Sequence, residues 1–306
     1  MKLHNNPQEF YDTLLLLGDR LNTSPSIIEK DYYVTMFLEA LSKRVPSLLF
    51  KGGTSLSKCH KIINRFSEDI DLTLDAEHQT QGKKRNLKYE IIDVCNELGL
   101  ELINEANIRS RRDYNRYEIK YPIHFEGAGI KQYLLVETVF MVKAYPDEIK
   151  KASSMIYDFW KEIGDDSAIE QYEMKPFDIR VQTLDRTLVD KVFAICDYAV
   201  SNNTIGYSRH IYDLYRLLPV VVLDDKLKEL VKEVREDRKT HERCYTAQDK
   251  YDIPSILQQI IDEKTYYQDY ENITKKVLFD GVSYEEAITA LQKIIESGVF
   301  ESETKE

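Results

Sequence analysis

The stretch Lys51-Gly52-Gly53-Thr54-Ser55-Leu56-Ser57-Lys58, followed closely by Ser67-Glu68-Asp69-Ile70-Asp71-Leu72, constrains this chain more than any other segment. Leu48-Leu49-Phe50 reads as a short buried strand running into the two glycines, and Thr54 to Asn64 reads as a helix. Asp69 to Leu74 alternates polar and apolar side chains, the pattern of a half-buried strand. Residues two apart on a strand point to one side, so Asp69 and Asp71 project together while Ile70 anchors the core. Two carboxylates so placed repel unless a cation sits between them, and oxygen donors of this kind suit Mg²⁺ or Mn²⁺.

Gly52 and Gly53 permit a tight turn and close approach of backbone to a ligand. The helix beyond them offers unpaired N–H groups and a positive dipole end, which suit a triphosphate tail. Thr54, Ser55 and Ser57 add hydroxyl donors and Lys58 adds charge, although the G-x-x-x-x-G-K-[ST] spacing of a Walker loop is absent. Phosphate handling beside metal binding points to phosphoryl or nucleotidyl transfer. Two-metal chemistry of that type needs a third acid, and Tyr133-Leu134-Leu135-Val136-Glu137-Thr138-Val139 supplies Glu137 within an apolar strand. A carboxylate there is costly to bury without a cation or an exposed strand end. Asp75 is a weaker candidate.

The rest of the chain sets the frame. The segments 100–108, 114–123 and 132–142 read as further strands, and 25–42 as a helix started by Ser24 and Pro25. After Pro176 the pattern turns helical, through 187–200, 209–218 and 225–236 to a last helix opened by the capping box Ser283-Tyr284-Glu285-Glu286. The expected fold is α+β, with a small mixed-sheet domain and N-terminal helices over 1–184 and a mainly helical domain over 185–306. A net charge of −11 argues against bulk coating of nucleic acid while leaving room for a local basic groove. Four scattered cysteines in 306 residues, no leader-like N-terminus and no membrane-length apolar run lead us to expect a cytoplasmic, membrane-free protein with reduced thiols.

Gly-Gly-Thr-Ser-Leu-Ser-Lys followed by Arg65-Phe66-Ser67-Glu68-Asp69-Ile70-Asp71-Leu72 resembles the AbiEii/AbiGii-type nucleotidyltransferase toxins of the polymerase-β-like superfamily. The resemblance takes in Glu29 to Thr35 upstream, and Leu188 to Ala194 and Ser208 to Leu214 downstream. It implies a bilobed protein, a nucleotidyltransferase sheet domain and a helical lobe, with NTP and Mg²⁺ in a cleft between them. By the match, Gly53, Thr54 and Ser55 hold phosphates and Asp69 and Asp71 bind metal. Lys191 contacts the triphosphate, and Asp213 is the downstream site acid. The third acid is Glu137 where the family usually has Asp. Members act as toxins in toxin–antitoxin or abortive-infection systems, and some relatives extend the 3′ end of tRNA. Read without the family, Arg209 and Asp213 are spaced for a helical i, i+4 ion pair.

Arg109-Ser110-Arg111-Arg112-Asp113-Tyr114-Asn115-Arg116-Tyr117 interleaves cations with aromatics, and Lys83, Lys84, Arg85 and Lys88 form a second basic cluster. Cations neutralise phosphates and tyrosines stack bases, so Arg109, Arg111, Arg112 and Arg116 are candidate RNA contacts. The expectation is therefore an Mg²⁺-dependent transfer of NMP from an NTP to a nucleic-acid acceptor, a tRNA 3′ end, with a cognate antitoxin as partner. Two competitors keep the cleft: transfer to a protein hydroxyl or a small molecule such as an aminoglycoside, and a non-catalytic NTP-binding regulator.

Overall fold

The computed structural model describes residues 2–109, 112–127 and 130–301, and these fall into two compact units. One holds Met1–Lys61 with Ser67–Val181, the other Ile62–Phe66 with Gln182–Glu306. Helices α1 (Pro7–Leu21) and α2 (Pro25–Arg44) of the first unit both start at a proline, whose fixed φ suits a first helical position. Ser24 occupies the N-cap of α2, yet its hydroxyl meets that of Ser26 at 2.7 Å instead of a backbone N–H. Next come β1 (Leu48–Lys51), α3 (Gly52–Lys58), β2 (Asp69–Leu74), α4 (Gln81–Glu97), β3 (Glu101–Leu102), β4 (Tyr114–Lys120) and β5 (Leu134–Val139). The unit closes with β6 (Asp147–Ala152), α5 (Met155–Ile163), α6 (Asp166–Gln171) and β7 (Phe177–Gln182).

The strands form one seven-stranded mixed sheet in the order β3-β4-β5-β2-β1-β7-β6. β2 pairs antiparallel with β1 and parallel with β5, so the strand carrying both aspartates is central. A central strand must bury one face at least. Ile70 and Leu72 are fully buried with Phe50, Ile119 and Val136 of the neighbouring strands, against Phe37 and Leu41 of α2 and Ile91 of α4. Truncating one such side chain to Ala costs about 2–5 kcal/mol. This packing fixes which way the alternate residues, Asp69 and Asp71, point.

Two expected elements differ. α3 stops at Lys58 instead of Asn64, because 62–66 is drawn into the second unit: Phe66 N–H donates to the Val277 carbonyl at 2.9 Å and Phe279 N–H to the Asn64 carbonyl at 3.0 Å. The strand expected over 100–108 is only two residues long. The Asn104 side chain takes over the ladder there, accepting from Glu118 N–H and donating to the Arg116 carbonyl. The basic segment at 81–85 opens α4, which is capped by the Thr80 hydroxyl.

The second unit is helical: α7 (Leu184–Val200), α8 (Arg209–Leu217), α9 (Asp225–Lys239), α10 (Ile253–Asp262), α11 (Tyr267–Asn272) and α12 (Tyr284–Glu296). Thr183, Asp224 and Asp252 cap α7, α9 and α10, and Ser283 with Glu286 forms the complete capping box at α12. Leu188, Val192 and Ile195 of α7 are fully buried, as are Ile211 and Leu214 of α8, Leu257 of α10, and Leu291 and Ile294 of α12. Among the described residues no helix is long and apolar enough to cross a membrane.

Candidate active site

β1 delivers the chain to Gly52, which adopts φ +77° and turns at once into α3. A Cβ at Gly52 would sit 2.0 Å from Asp71 Oδ2, so the missing side chain makes the space that carboxylate uses. Thr54 is fully buried and ties the turn to β2, its hydroxyl donating to the Asp69 carbonyl at 2.5 Å. Ser55 donates to the Gly52 carbonyl and Ser57 to the Thr54 carbonyl. Lys58 is buried, its ammonium held by Asp31 Oδ1 at 2.5 Å and the Thr35 hydroxyl at 2.6 Å, and burial lowers its pKa. These side chains thus brace the glycine turn.

In the parallel β2–β5 pair Asp71 lies opposite Glu137 and Asp69 opposite Leu135. Laterally registered residues of adjacent strands share a face about 4.8 Å apart. Glu137 is therefore the neighbour of Asp71 on the same side of the sheet, both of them partly exposed. From β4 the Tyr114 hydroxyl donates to Glu137 Oε1 at 2.6 Å. Burial first, and then this bond together with the charges of Glu137 and Asp71, raise the Tyr114 pKa. The acids are all oxygen donors, which fits a small hard divalent ion. Among the described residues no cluster of three acid, His or Cys ligands is close enough to hold a cation by itself. Mg²⁺ commonly takes one or two protein carboxylates and completes its shell with substrate phosphates and water, so a set of three protein ligands is not required of such a site.

Sequence reasoning missed the cations beside these acids. Lys131 Nζ stands 3.5 Å from Asp69 Oδ1 and 3.8 Å from Glu68 Oε1. Lys30, fully buried on α2, holds Glu68 Oε2 at 2.5 Å and the Lys131 carbonyl at 2.8 Å. Burial lowers the Lys30 pKa, and Glu68 opposes that shift. Only knowledge that 131 precedes a strand parallel to β2 brings Lys131 level with Asp69.

Lys191 and Asp213 meet within the second unit. Asp213 is fully buried and gripped from two sides: Arg65 Nε and Nη2 donate to its two oxygens at 2.7 and 2.8 Å, and Lys191 Nζ donates to Oδ2 at 2.6 Å. Burial alone would raise the Asp213 pKa, but Arg65 and Lys191 hold it well below the carboxylate range. Asp213 thus pairs with Arg65 and Lys191, both distant from it in sequence. Lys191 Nζ also lies 3.5 Å from His210 Nδ1, and burial followed by the charges of Lys191 and Arg209 keeps that imidazole neutral, its pKa far below the usual value.

Of the expected RNA contacts, Arg111 lies outside the described residues. Arg109 Nη1 donates to the Ala106 carbonyl at 2.7 Å, and Arg112 is exposed just before β4. Arg116 is on β4 opposite Glu137, bonded to the Tyr133 hydroxyl and paired with Glu118. Tyr117, one residue on, faces the core and is buried. In the second basic cluster Lys84 pairs with Asp113 at 2.6 Å.

A mixed sheet whose central strand carries Asp-x-Asp beside a glycine turn, joined in one chain to a helical unit, is the architecture of a polymerase-β-like nucleotidyltransferase domain with its helical lobe. A family model described as "Nucleotidyl transferase AbiEii toxin, Type IV TA system" matches residues 37–293, and the chain belongs to that family. No curated protein matches it. The family is one of nucleotidyltransferase toxins, which implies a cognate antitoxin.

Proposed function

We propose that this chain transfers an NMP from an NTP to the 3′-hydroxyl of an RNA acceptor, a tRNA end, and acts in the cytoplasm as the toxin of its pair. The observation that carries the reading is the register of β2 and β5, which sets Asp69, Asp71 and Glu137 on one face of the sheet beside a glycine whose missing side chain leaves space for Asp71. Asp69 and Asp71 are assigned to Mg²⁺ (or Mn²⁺), which when bound polarises the phosphates and favours ionisation of the attacking hydroxyl.

The acceptor oxygen forms a bond to the α-phosphorus as the bond from that phosphorus to the β-phosphate's bridging oxygen breaks, and pyrophosphate leaves. Glu137 receives the hydroxyl proton through Oε2, since Oε1 accepts the Tyr114 hydroxyl. Gly52, Gly53, Thr54 and Ser55 are assigned to the phosphates on the strength of the resemblance, and Lys191 to the charge developing on pyrophosphate. Asp213 positions the Lys191 ammonium through the 2.6 Å bond.

The deciding experiment incubates the purified chain with each labelled NTP, total RNA and Mg²⁺. Label should enter RNA, and Asp69→Ala should lower the rate by at least about 10³-fold with the fold intact, as for loss of a main electrostatic element. Label in protein or a small molecule moves the acceptor, and NTP binding without turnover leaves a regulator. A fully active Asp69→Ala protein ends the proposal.

A further inference from the structure

Glu29, Lys30 and Asp31 follow one another on a single turn of α2, in a segment that takes no part in the chemistry above. Consecutive helical residues point about 100° apart, so three charges in a row do not share one solvent face. Here none of them reaches water freely: Glu29 and Lys30 are fully buried, and the Asp31 side chain is 12% exposed. Each holds a different piece of the first unit. Glu29 accepts the backbone N–H groups of His124 and Phe125 at 2.9 and 3.2 Å, in the segment between β4 and β5. Asp31 holds Lys58 at the end of α3 and accepts Met155 N–H at the start of α5. Lys30, between them, reaches the candidate site.

The Lys30 ammonium donates to Glu68 Oε2 at 2.5 Å and to the Lys131 carbonyl at 2.8 Å. Glu68 immediately precedes Asp69, the first residue of β2, and Lys131 lies just before β5. β2 and β5 run parallel, so these are the same ends of two adjacent strands, and one ammonium ties them together. The same two strands carry Asp69, Asp71 and Glu137. Burying an ammonium this deeply is expensive, and an apolar pair in the place of such an ion pair often serves stability as well. What an apolar pair does not supply is direction: Lys30 fixes two strand ends from a third element, so the acids are held in place before a ligand arrives. We infer that Lys30 is a positioning residue of the candidate site, setting Asp69 and Asp71 level with Glu137 for a divalent cation through Glu68 and the Lys131 carbonyl. The inference rests on the metal assignment made in the nucleotidyl-transfer reading and adds to it a residue that touches neither ion nor substrate.

The test is the Mn²⁺ affinity of the full chain without nucleotide, followed by the electron paramagnetic resonance of free Mn²⁺, together with amide hydrogen exchange of the first unit. Lys30→Met keeps an unbranched side chain and removes a positive charge that feels Asp69. By charge alone Mn²⁺ would bind more tightly, whereas loss of positioning weakens it, so the sign of the change separates the two. We expect binding about tenfold weaker, the usual effect of losing an outer-shell partner, with the exchange protection of β1 and β4 kept. Parental or tighter binding overturns the inference. Should Lys30→Met lose protection throughout the unit, the double variant Lys30→Met/Glu68→Met decides, because it also removes the stranded carboxylate and leaves the local net charge unchanged. Restored protection with Mn²⁺ still about tenfold weaker supports positioning. Restored protection with parental affinity, or protection still lost, makes Lys30 a structural counter-charge and overturns it. A parent chain that binds no Mn²⁺ removes the metal assignment and Lys30's part with it. Mn²⁺ binding that depends on Lys30 in a chain that transfers no NMP ends the nucleotidyl-transfer reading and leaves this inference standing.

Discussion

Replacing Gly52 by Ala perturbs the candidate site with a single methyl group. At φ +77° any L side chain is strained by about 1–2 kcal/mol before it touches anything. The new Cβ would also lie 2.0 Å from Asp71 Oδ2 and 2.9 Å from its Cγ, so the carboxylate must swing away. Forcing a group into occupied space costs about 1–3 kcal/mol more. The two contributions separate in a double-mutant cycle. With Asp71→Ala the remaining approach is to Cβ at 3.2 Å, and Gly52→Ala should then cost little beyond the backbone strain. Two compact units make one bulk unfolding transition ambiguous, so amide hydrogen exchange of β1 and β2 is the proper readout. Mn²⁺ affinity supplies a second readout, and displacing one of two carboxylates should weaken it about tenfold or more. Equal costs in both backgrounds, or parental Mn²⁺ affinity in Gly52→Ala, would refute the claim that this glycine exists to admit Asp71.

Three further outcomes follow from the charges. Lys131→Met removes an ammonium 3.5 Å from Asp69 and should tighten Mn²⁺ binding in the absence of nucleotide, by about fivefold after allowing for its exposure; weaker binding by calorimetry would show that Lys131 supports the ion instead. Arg65→Met leaves buried Asp213 with Lys191 alone and should destabilise the second unit by about 3–5 kcal/mol, read from amide hydrogen exchange of α7 and α8, a loss below about 1 kcal/mol contradicting the pairing. His210 is kept neutral in the fold by burial and by Lys191, Arg209 and Arg65, with Asp213 opposing them, while in the unfolded chain it takes up a proton near its ordinary pKa. The unfolded state then binds more protons below about pH 6.5, so stability falls with falling pH by up to about 1.4 kcal/mol per unit until the lowered folded pKa is reached. His210→Gln should flatten that slope, and an unchanged slope in pH-dependent urea titrations assigns the proton elsewhere.

What could be read from the chain alone follows the range of the interactions. The alternation in Asp69-Ile70-Asp71-Leu72 is local, so the strand and the shared direction of its acids were legible, with the observed bounds Asp69–Leu74. Glu137 could be singled out because a carboxylate within Leu-Leu-Val-Glu-Thr-Val is anomalous, but its alignment with Asp71 depends on a parallel pairing between strands 66 residues apart, 137 less 71. No local pattern encodes such a register. The cation partners were hidden for the same reason. Arg65 stands in a motif that reads as part of the first unit, and only the backbone bonds at Val277 and Phe279 show that its segment belongs to the second. Lys58 shows the opposite error. A lysine at the end of a glycine-rich helix looks like a phosphate ligand, whereas here its ammonium closes a buried pair with Asp31 on a different helix. Spacing in sequence therefore identified the groups bound by their own strand or turn. For Lys58, Lys131 and Arg65, whose charges are balanced by partners tens of residues away or more, the fold had to be known first.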